Sequence, residues 1–270
     1  GPVTQESLAR GGGVLRRAAK AASEYALGTA FYLGKFGGRH VMATNHHVQG
    51  SPRCQGSARF PALGKEFRCT RVYGSWKEID LALFSIEVPP EDETALLDAA
   101  ANFAYDAPIY PGQELLTAGF GKAGNFPEEV TFRARLMAGQ DDDCKVFSGR
   151  DEFRLLADPD NGVNYSAWSF ATGCDVSSGD SGSAVFDRRT GDLLGVIWNT
   201  KNPKAEGIGS SAYLRRLLAE GRPEIWTELT YAVPAAKIRA HLREFVAKSP
   251  VDEPLDADVV RVLSAVIGPG

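Results

Sequence analysis

Short apolar runs separated by turn-forming residues recur along most of the chain. Residues 29–33 and 40–44 flank a glycine-rich segment and predict a β-hairpin. Further strand-like runs are residues 67–73, 81–86, 115–118, 130–137, 184–186, 193–198 and 230–233. Many short strands with turn residues between them favour β-barrels or sandwiches over a parallel α/β sheet. The pattern therefore predicts a mostly β protein.

Apolar positions at helical spacing occur mainly towards the two ends of the chain. Residues 4–26 predict an amphipathic helix, and residues 91–105 and 211–220 predict short helices on the surface. Another helix is predicted to start at Pro234, with a tail that begins at Pro250. We therefore expect N-terminal and C-terminal helices around the strands.

Composition and charge exclude several classes of protein. With 43% hydrophobic and 24% charged residues in 270, the chain has a globular and not a disordered composition. Its apolar runs are far shorter than the roughly 18 residues of a membrane helix, so we expect no membrane partner. A net charge of −4 with scattered basic residues argues against nucleic acid as a partner. Gly1-Pro2 resembles the remnant of a cleaved tag, so a signal peptide is expected to be missing from this sequence.

The cysteines bear on the cellular compartment. Cys54, Cys69, Cys144 and Cys174 show no Cys-x-x-Cys spacing, so we expect no metal site. An even count suits two disulfides with three alternative pairings, among which the sequence does not choose. A bridge from Cys54 to Cys69 would close a short loop, contribute about 3 kcal/mol and leave Cys144 with Cys174. Two disulfides would indicate a periplasmic or secreted protein, and the alternative is four reduced thiols in the cytosol.

A serine between glycines directly precedes the strand-like run 184–186. In the sequence Gly179-Asp180-Ser181-Gly182, a tight turn would project the Ser181 hydroxyl. The main-chain amides of Gly179 and Ser181 could then form an oxyanion hole. Because Gly, Asp and Ser are also the commonest turn residues, this motif needs a base and an orienting acid elsewhere in the chain.

Both partners occur at the ends of predicted strands. The segment 44–48, Thr-Asn-His-His-Val, ends the hairpin and supplies a histidine, while Asp80 begins the apolar run 81–86. A lone carboxylate at the mouth of a buried strand is costly unless a donor such as an imidazole N–H satisfies it. Each of these residues alone is ordinary. Together, Ser181, a histidine of segment 44–48 and Asp80 match the roles of a nucleophile, its base and the acid that orients the base.

On these residues the chain resembles the trypsin-like serine proteases of the chymotrypsin fold, nearest to the bacterial members. The segments that carry the resemblance are 44–48, 80–83 and 179–183, and the likeness spans about residues 28–247. The chain order His, Asp, Ser is that of this family. The family motif assigns the catalytic histidine to His47, and His46 occupies its variable position.

The resemblance implies two packed six-stranded antiparallel β-barrels with N-terminal and C-terminal helices. Its implied division is an N-terminal extension and helix at 1–27, a first barrel at 28–110 with His47 and Asp80, a second barrel at 111–234 with Ser181, and a C-terminal helix and tail at 235–270.

The implied activity is that of a serine endopeptidase acting through an acyl-enzyme. His47 is the base for Ser181, Asp80 orients His47, and the amides of Gly179 and Ser181 form the oxyanion hole. The expected partner is a polypeptide substrate, with no cofactor and a monomeric enzyme. The alternatives are a catalytically silent or zymogen-like binding protein of the same fold, or an esterase.

Substrate preference stays open at this point. Asp175 lies six residues before Ser181, where trypsin-like enzymes place the acid that selects Arg or Lys at P1. Some bacterial relatives carry a similar Cys-Asp pair without that preference. Ile197, Trp198 and Asn199 are expected to form a wall of the substrate pocket.

Activation also stays open. The family's activated N-terminus, Ile-Val-Gly-Gly, does not occur in this sequence. Asp180, which would pair with that terminus, is therefore satisfied by other donors, or the true terminus is missing.

Overall fold

The computed structural model describes residues 12–121, 135–137, 143–158, 166–200, 210–250 and 254–269. Within these ranges the chain forms thirteen β-strands and five α-helices, which confirms a mostly β fold. The strands are β1 (Ala22–Tyr25), β2 (Gly28–Phe36), β3 (Arg39–Thr44), β4 (Ser57–Phe60), β5 (Lys65–Trp76), β6 (Leu81–Ile86), β7 (Leu115–Gly119), β8 (Arg135–Met137), β9 (Arg154–Ala157), β10 (Ser166–Thr172), β11 (Ala184–Asp187), β12 (Leu193–Thr200) and β13 (Thr230–Pro234). The helices are α1 (Gly12–Ala21), α2 (Pro90–Leu97), α3 (Ser211–Glu220), α4 (Ala235–Ala247) and α5 (Ala257–Ile267).

The first six strands form a closed antiparallel barrel. Their order around the barrel is β1-β2-β3-β6-β5-β4. Large side chains such as Tyr25, Tyr32, Phe60 and Phe84 are fully buried in a cluster contributed by these strands. Since closure leaves no unpaired edge, the barrel is a rigid support for residues at its strand ends. This confirms the predicted first barrel.

The second group of strands corrects the predicted second barrel. It is a seven-stranded sheet in the order β8-β7-β11-β12-β13-β10-β9, and in the part of the chain that the structure describes it does not close. Strands β8 and β9 are the two edges of this sheet, and each pairs on one side only, β8 with β7 and β9 with β10, so no ladder of hydrogen bonds joins the edges within the described residues. Most of the predicted strand at 130–137 lies outside the described residues, and β8 is its described part.

The N-terminal helix is shorter than its periodicity predicts. Of the predicted helix at 4–26, residues 4–11 lie outside the described residues, α1 ends at Ala21, and residues 22–25 form β1. Ala22 pairs with Phe31 on β2, and Tyr25 with Ala58 on β4. The pairing of β1 with β2 and β4, which closes the barrel, thus outweighs the local helical pattern.

The other helices follow the sequence more closely. Helix α3 matches the predicted 211–220 and ends at Gly221, whose φ of 59° and N–H bond to the Leu217 carbonyl form a helix cap. Helix α2 ends at Leu97, well before the predicted residue 105. The predicted C-terminal helix is α4, and α5 is an additional helix in what was expected to be a tail.

Both disulfides are present, with Cys54 bonded to Cys69 and Cys144 bonded to Cys174. The first bridge joins the loop after His47 to β5, and the second holds the segment that leads to Ser181. Among the helices of the described ranges, none is long and apolar enough to cross a membrane.

Candidate active site

His47 lies in a tight turn immediately after β3. The Asn45 carbonyl accepts the amides of Val48 and Gln49 at 3.2 and 3.0 Å, so the chain turns once before leaving the barrel. The Asn45 side chain donates from Nδ2 to the Asp80 carbonyl oxygen at 2.9 Å. The turn that carries His47 is therefore tied to the beginning of β6.

Asp80 contacts His47 through both of its carboxylate oxygens. His47 Nδ1 lies 2.7 Å from Oδ2, and the His47 main-chain amide donates to Oδ1 at 3.0 Å. Asp80 is 0% exposed and has a φ of +34°, which is unusual for a residue with a side chain. Backbone strain of this kind persists where the surroundings enforce it, and it is common at functional sites.

The surroundings of His47 raise its pKa. Burial lowers the pKa, but the hydrogen bond and negative charge of Asp80, with a further contribution from the charge of Asp158, outweigh burial. Since the Asp80 carboxylate accepts the Nδ1 proton, Nε2 carries the lone pair in the neutral ring. His47 is thus arranged as a base that acts through Nε2.

Asp180, the residue before Ser181, accepts hydrogen bonds on both of its carboxylate oxygens. The Asp180 carboxylate is buried and accepts the amides of Gly121 at 2.7 Å and Ser177 at 2.8 Å. Main-chain amides therefore satisfy Asp180, which is the first of the two alternatives that the sequence leaves open. Gly179 has a φ of +102°, and a Cβ there would lie 2.7 Å from the Phe120 carbonyl oxygen, so only glycine fits.

The predicted base, nucleophile and oxyanion glycine share one cleft between the barrel and the open sheet. The cleft has a volume of about 590 Å³, and His47, Ser181 and Gly179 line it together. Asp80 lies behind His47 and reaches the cleft only through it. The remaining lining residues are Ala26, Leu27, Val48, Gly50, Ser51, Gln55, Val176, Ser177, Ser178, Ile197, Trp198, Asn199 and Thr200.

The predicted wall and the predicted specificity acid differ in their placement. Ile197, Trp198 and Asn199 line the cleft from β12, and Trp198 Nε1 donates to Ser169 Oγ at 2.8 Å. Asp175 is exposed and is not among the residues that line the cleft. The structure therefore does not place its carboxylate at the bottom of the pocket. Within the described ranges, no group of three or more His, Cys, Asp or Glu residues is placed to hold a metal ion.

One side of the cleft was missed from the sequence. Ala26 and Leu27 form the two-residue connection between β1 and β2, and Leu27 is 92% exposed beside the cleft. Ala26 has a φ of +49°, as such tight hairpin connections require. The sequence gives no separate signal for them, because Ala26 falls within the segment 4–26 that predicts a helix, and Leu27 lies between that segment and the predicted strand at 29–33.

Several solved protease structures are similar to this chain in fold. The active form of the Rv3671c protease from M. tuberculosis has a TM-score of 0.54 and 19% identity over 93% of this chain and 90% of that chain. The HtrA-type protease AlgW with a tripeptide has a TM-score of 0.52 and 19% identity over 87% of this chain and 63% of that chain. The serine endoprotease from Yersinia pestis has a TM-score of 0.50 and 16% identity over 87% of this chain and 66% of that chain. At these identities the likeness concerns the fold.

The sequence itself matches one family profile. A comparison with curated proteins gave no match. The profile described as "Trypsin-like peptidase domain" matches residues 28–196, a stretch that begins at β2 and includes His47, Asp80 and Ser181. Because this stretch is more than half of the chain, the protein belongs to the trypsin-like peptidase family.

Proposed function

We propose that this protein is a serine endopeptidase that cleaves polypeptides through an acyl-enzyme on Ser181. The single observation that carries the proposal is the His47–Asp80 pair, bonded at 2.7 Å, in a cleft that His47 shares with Ser181. A buried carboxylate on Nδ1 leaves Nε2 free for the proton of a nucleophile. Gly179 in the same cleft adds a main-chain amide for the developing oxyanion.

The proposed reaction has two halves. Ser181 Oγ attacks the peptide carbonyl carbon while His47 Nε2 takes its proton, and the amides of Gly179 and Ser181 stabilise the oxyanion. The intermediate collapses, the C–N bond breaks, and His47 gives its proton to the departing amine. Water then attacks the acyl-enzyme with His47 again as base, which releases the acid and restores Ser181.

For the side chain on the acyl side of the cleaved bond, we propose a neutral residue. The described walls of the cleft near Gly179 consist of Val176, Ser177 and Ser178 on one segment and residues 197–200 on another. None of these side chains carries a charge. A desolvated Arg or Lys would be left unpaired among them, which is unfavourable. A preference for Arg or Lys, which the position of Asp175 in the sequence suggests, therefore has less support than a preference for a neutral residue.

A panel of fluorogenic peptides tests the activity and the preference together. The peptides differ only at P1, with Arg, Lys, Glu, Phe, Val or Ala, and Ser181→Ala protein is the matched control. We expect cleavage of the Phe, Val or Ala peptides by wild-type protein and none by the control. Cleavage confined to Arg and Lys would contradict the neutral pocket, and Asp175→Asn would then show whether Asp175 is responsible.

The pH dependence of cleavage follows from the environment of His47. A protonated Nε2 cannot accept the Ser181 proton, so kcat/KM rises with pH through the pKa of His47. Because that pKa is raised, the midpoint should lie above about 6.5, the value of an unperturbed histidine. The check is kcat/KM from about pH 5 to about pH 9, with the fold monitored by circular dichroism. A midpoint below about 6 would contradict the influence of Asp80 on His47.

We also propose that the enzyme works in an oxidising, extracytoplasmic compartment, periplasmic or secreted. The support is the pair of disulfides, because such bridges persist where thiols are not kept reduced.

A further inference from the structure

Thr29 is a buried residue of β2 that bonds to the segment carrying Ser181. Its main-chain amide donates to the Ser181 carbonyl at 2.8 Å, and its hydroxyl donates to the Gly179 carbonyl at 2.8 Å. The same hydroxyl accepts the Phe120 amide at 2.9 Å. The Thr29 side chain, on the barrel, thus bonds to two segments on the other side of the cleft, the turn before Ser181 and the residue that follows β7.

Thr29 is also bonded to the strand that leads to His47. The Thr44 hydroxyl donates to the Thr29 carbonyl at 2.7 Å, and Thr44 is the last residue of β3. The hydrogen-bonding groups of Thr29 therefore connect the end of β3, from which His47 emerges, with the turn of Ser181.

Glycine makes this close approach possible. Gly182 has a φ of +90°, and a Cβ there would lie 2.0 Å from the Thr29 carbonyl oxygen. On the other side, a Cβ at Gly28 would lie 3.0 Å from the Ser181 carbonyl oxygen and 2.7 Å from a methyl carbon of Val48. The two main chains touch where neither has a side chain, so the contact tolerates little displacement.

We propose that Thr29 is a positioning residue that keeps the oxyanion amides and the Ser181 hydroxyl in their reactive orientation. Its bonds to the carbonyls of Gly179 and Ser181 fix the peptide planes on both sides of the Asp180–Ser181 peptide. The direction of the Ser181 amide and of its side chain depends on those planes. This inference rests on the proposed function, because it assigns Thr29 a part in that reaction.

The central test removes the hydroxyl and keeps the shape of the side chain. In Thr29→Val, the Gly179 carbonyl and the Phe120 amide lose their partner, and the turn can move. A displacement of about 1 Å at a reacting group can lower turnover about 100-fold, and we expect a loss of kcat of that order with little change in KM. Thr29→Ser keeps the hydroxyl and should restore kcat. Should Thr29→Val not fold, Thr29→Ala is used, since water can then reach the two buried groups.

Ser23→Ala is the matched control. Ser23 is buried on β1, and its hydroxyl donates to the carbonyl of Ala30, the residue after Thr29, at 3.2 Å. Its loss removes a buried hydroxyl bond from the same barrel without touching the Ser181 turn. We expect a similar loss of stability and a wild-type kcat. Equal losses of kcat in Ser23→Ala and Thr29→Val, or a failure of Thr29→Ser to restore kcat, would overturn the proposal.

Hydrogen exchange separates this inference from the proposed function. In substrate-free protein, the amides of residues 179–182 should exchange faster in Thr29→Val than in Thr29→Ser or Ser23→Ala. Unchanged exchange, or a wild-type kcat in Thr29→Val, overturns the role of Thr29 whatever the activity of the chain. Faster exchange together with a wild-type protein that cleaves no peptide would instead refute the proposed function while the anchoring by Thr29 is retained.

Discussion

Replacing Ser181 with alanine is expected to lower kcat for peptide hydrolysis about 10⁶-fold while the fold is retained. Ser181 is half-buried at the surface of the cleft, so loss of its hydroxyl leaves the core unchanged. His47→Ala should cause a similar loss, because a serine without its base is not an effective nucleophile. The double variant should be no slower than either single variant, since the two residues act as one unit. Initial rates on the best peptide of the P1 panel provide the measurement.

The neighbouring histidine is the natural control for His47. His46 Nδ1 lies 2.7 Å from Ser75 Oγ, and that hydroxyl donates to the Gln49 carbonyl at 2.8 Å. Since His46 bonds away from Asp80, His46→Ala should keep most of the activity. A loss in His46→Ala equal to that in His47→Ala, or losses that add up in the double variant, would show that the base was assigned to the wrong residue.

Asp80→Asn is expected to lower kcat about 10⁴-fold. The asparagine amide can donate to His47 Nδ1, which stabilises the ring with its proton on Nε2, where it cannot accept the Ser181 proton. Removing the charge also leaves burial as the main influence on His47, so its pKa falls. Two readouts check this prediction, a large loss of kcat and a shift of the midpoint of kcat/KM to lower pH.

Asp158→Asn is the control for charge alone. Asp158 also raises the pKa of His47 through its charge, and the bond between His47 and Asp80 is unchanged by its replacement. We expect a small shift of the midpoint to lower pH with kcat largely retained. A kcat for Asp80→Asn within about tenfold of wild type would contradict the orienting role of Asp80.

The sequence predicted those parts of the site that are encoded locally. Each of Ser181, His47 and Asp80 lies in a short segment whose neighbours define its position, either a glycine turn or the end of an apolar strand. The structure places His47 beside Asp80 and gives His47 and Ser181 one cleft, as the order of the motifs indicates. Their roles in the reaction remain predictions until the variants are measured.

The missed features depend on contacts between distant parts of the chain. Thr29 bonds to Gly179 across 150 positions and to Phe120 across 91, and nothing in its own neighbourhood signals those partners. The local pattern of β1 predicts helix, because its pairing with β2 and β4 depends on residues far from it in the sequence or across a turn. The offset of Asp175 from Ser181 predicts a place in the pocket, whereas the exposure of Asp175 depends on the path of the intervening turn.

Labelling with a fluorophosphonate tests the central claim most directly, because this reagent bonds covalently to a serine hydroxyl that a neighbouring base activates. Intact mass gives the stoichiometry, and peptide mapping gives the modified residue. We expect one label per chain, on Ser181, with none in Ser181→Ala and strongly slowed labelling in His47→Ala. A folded wild-type protein that takes up no label, or that carries it on another residue, would contradict the assignment of Ser181 as the nucleophile.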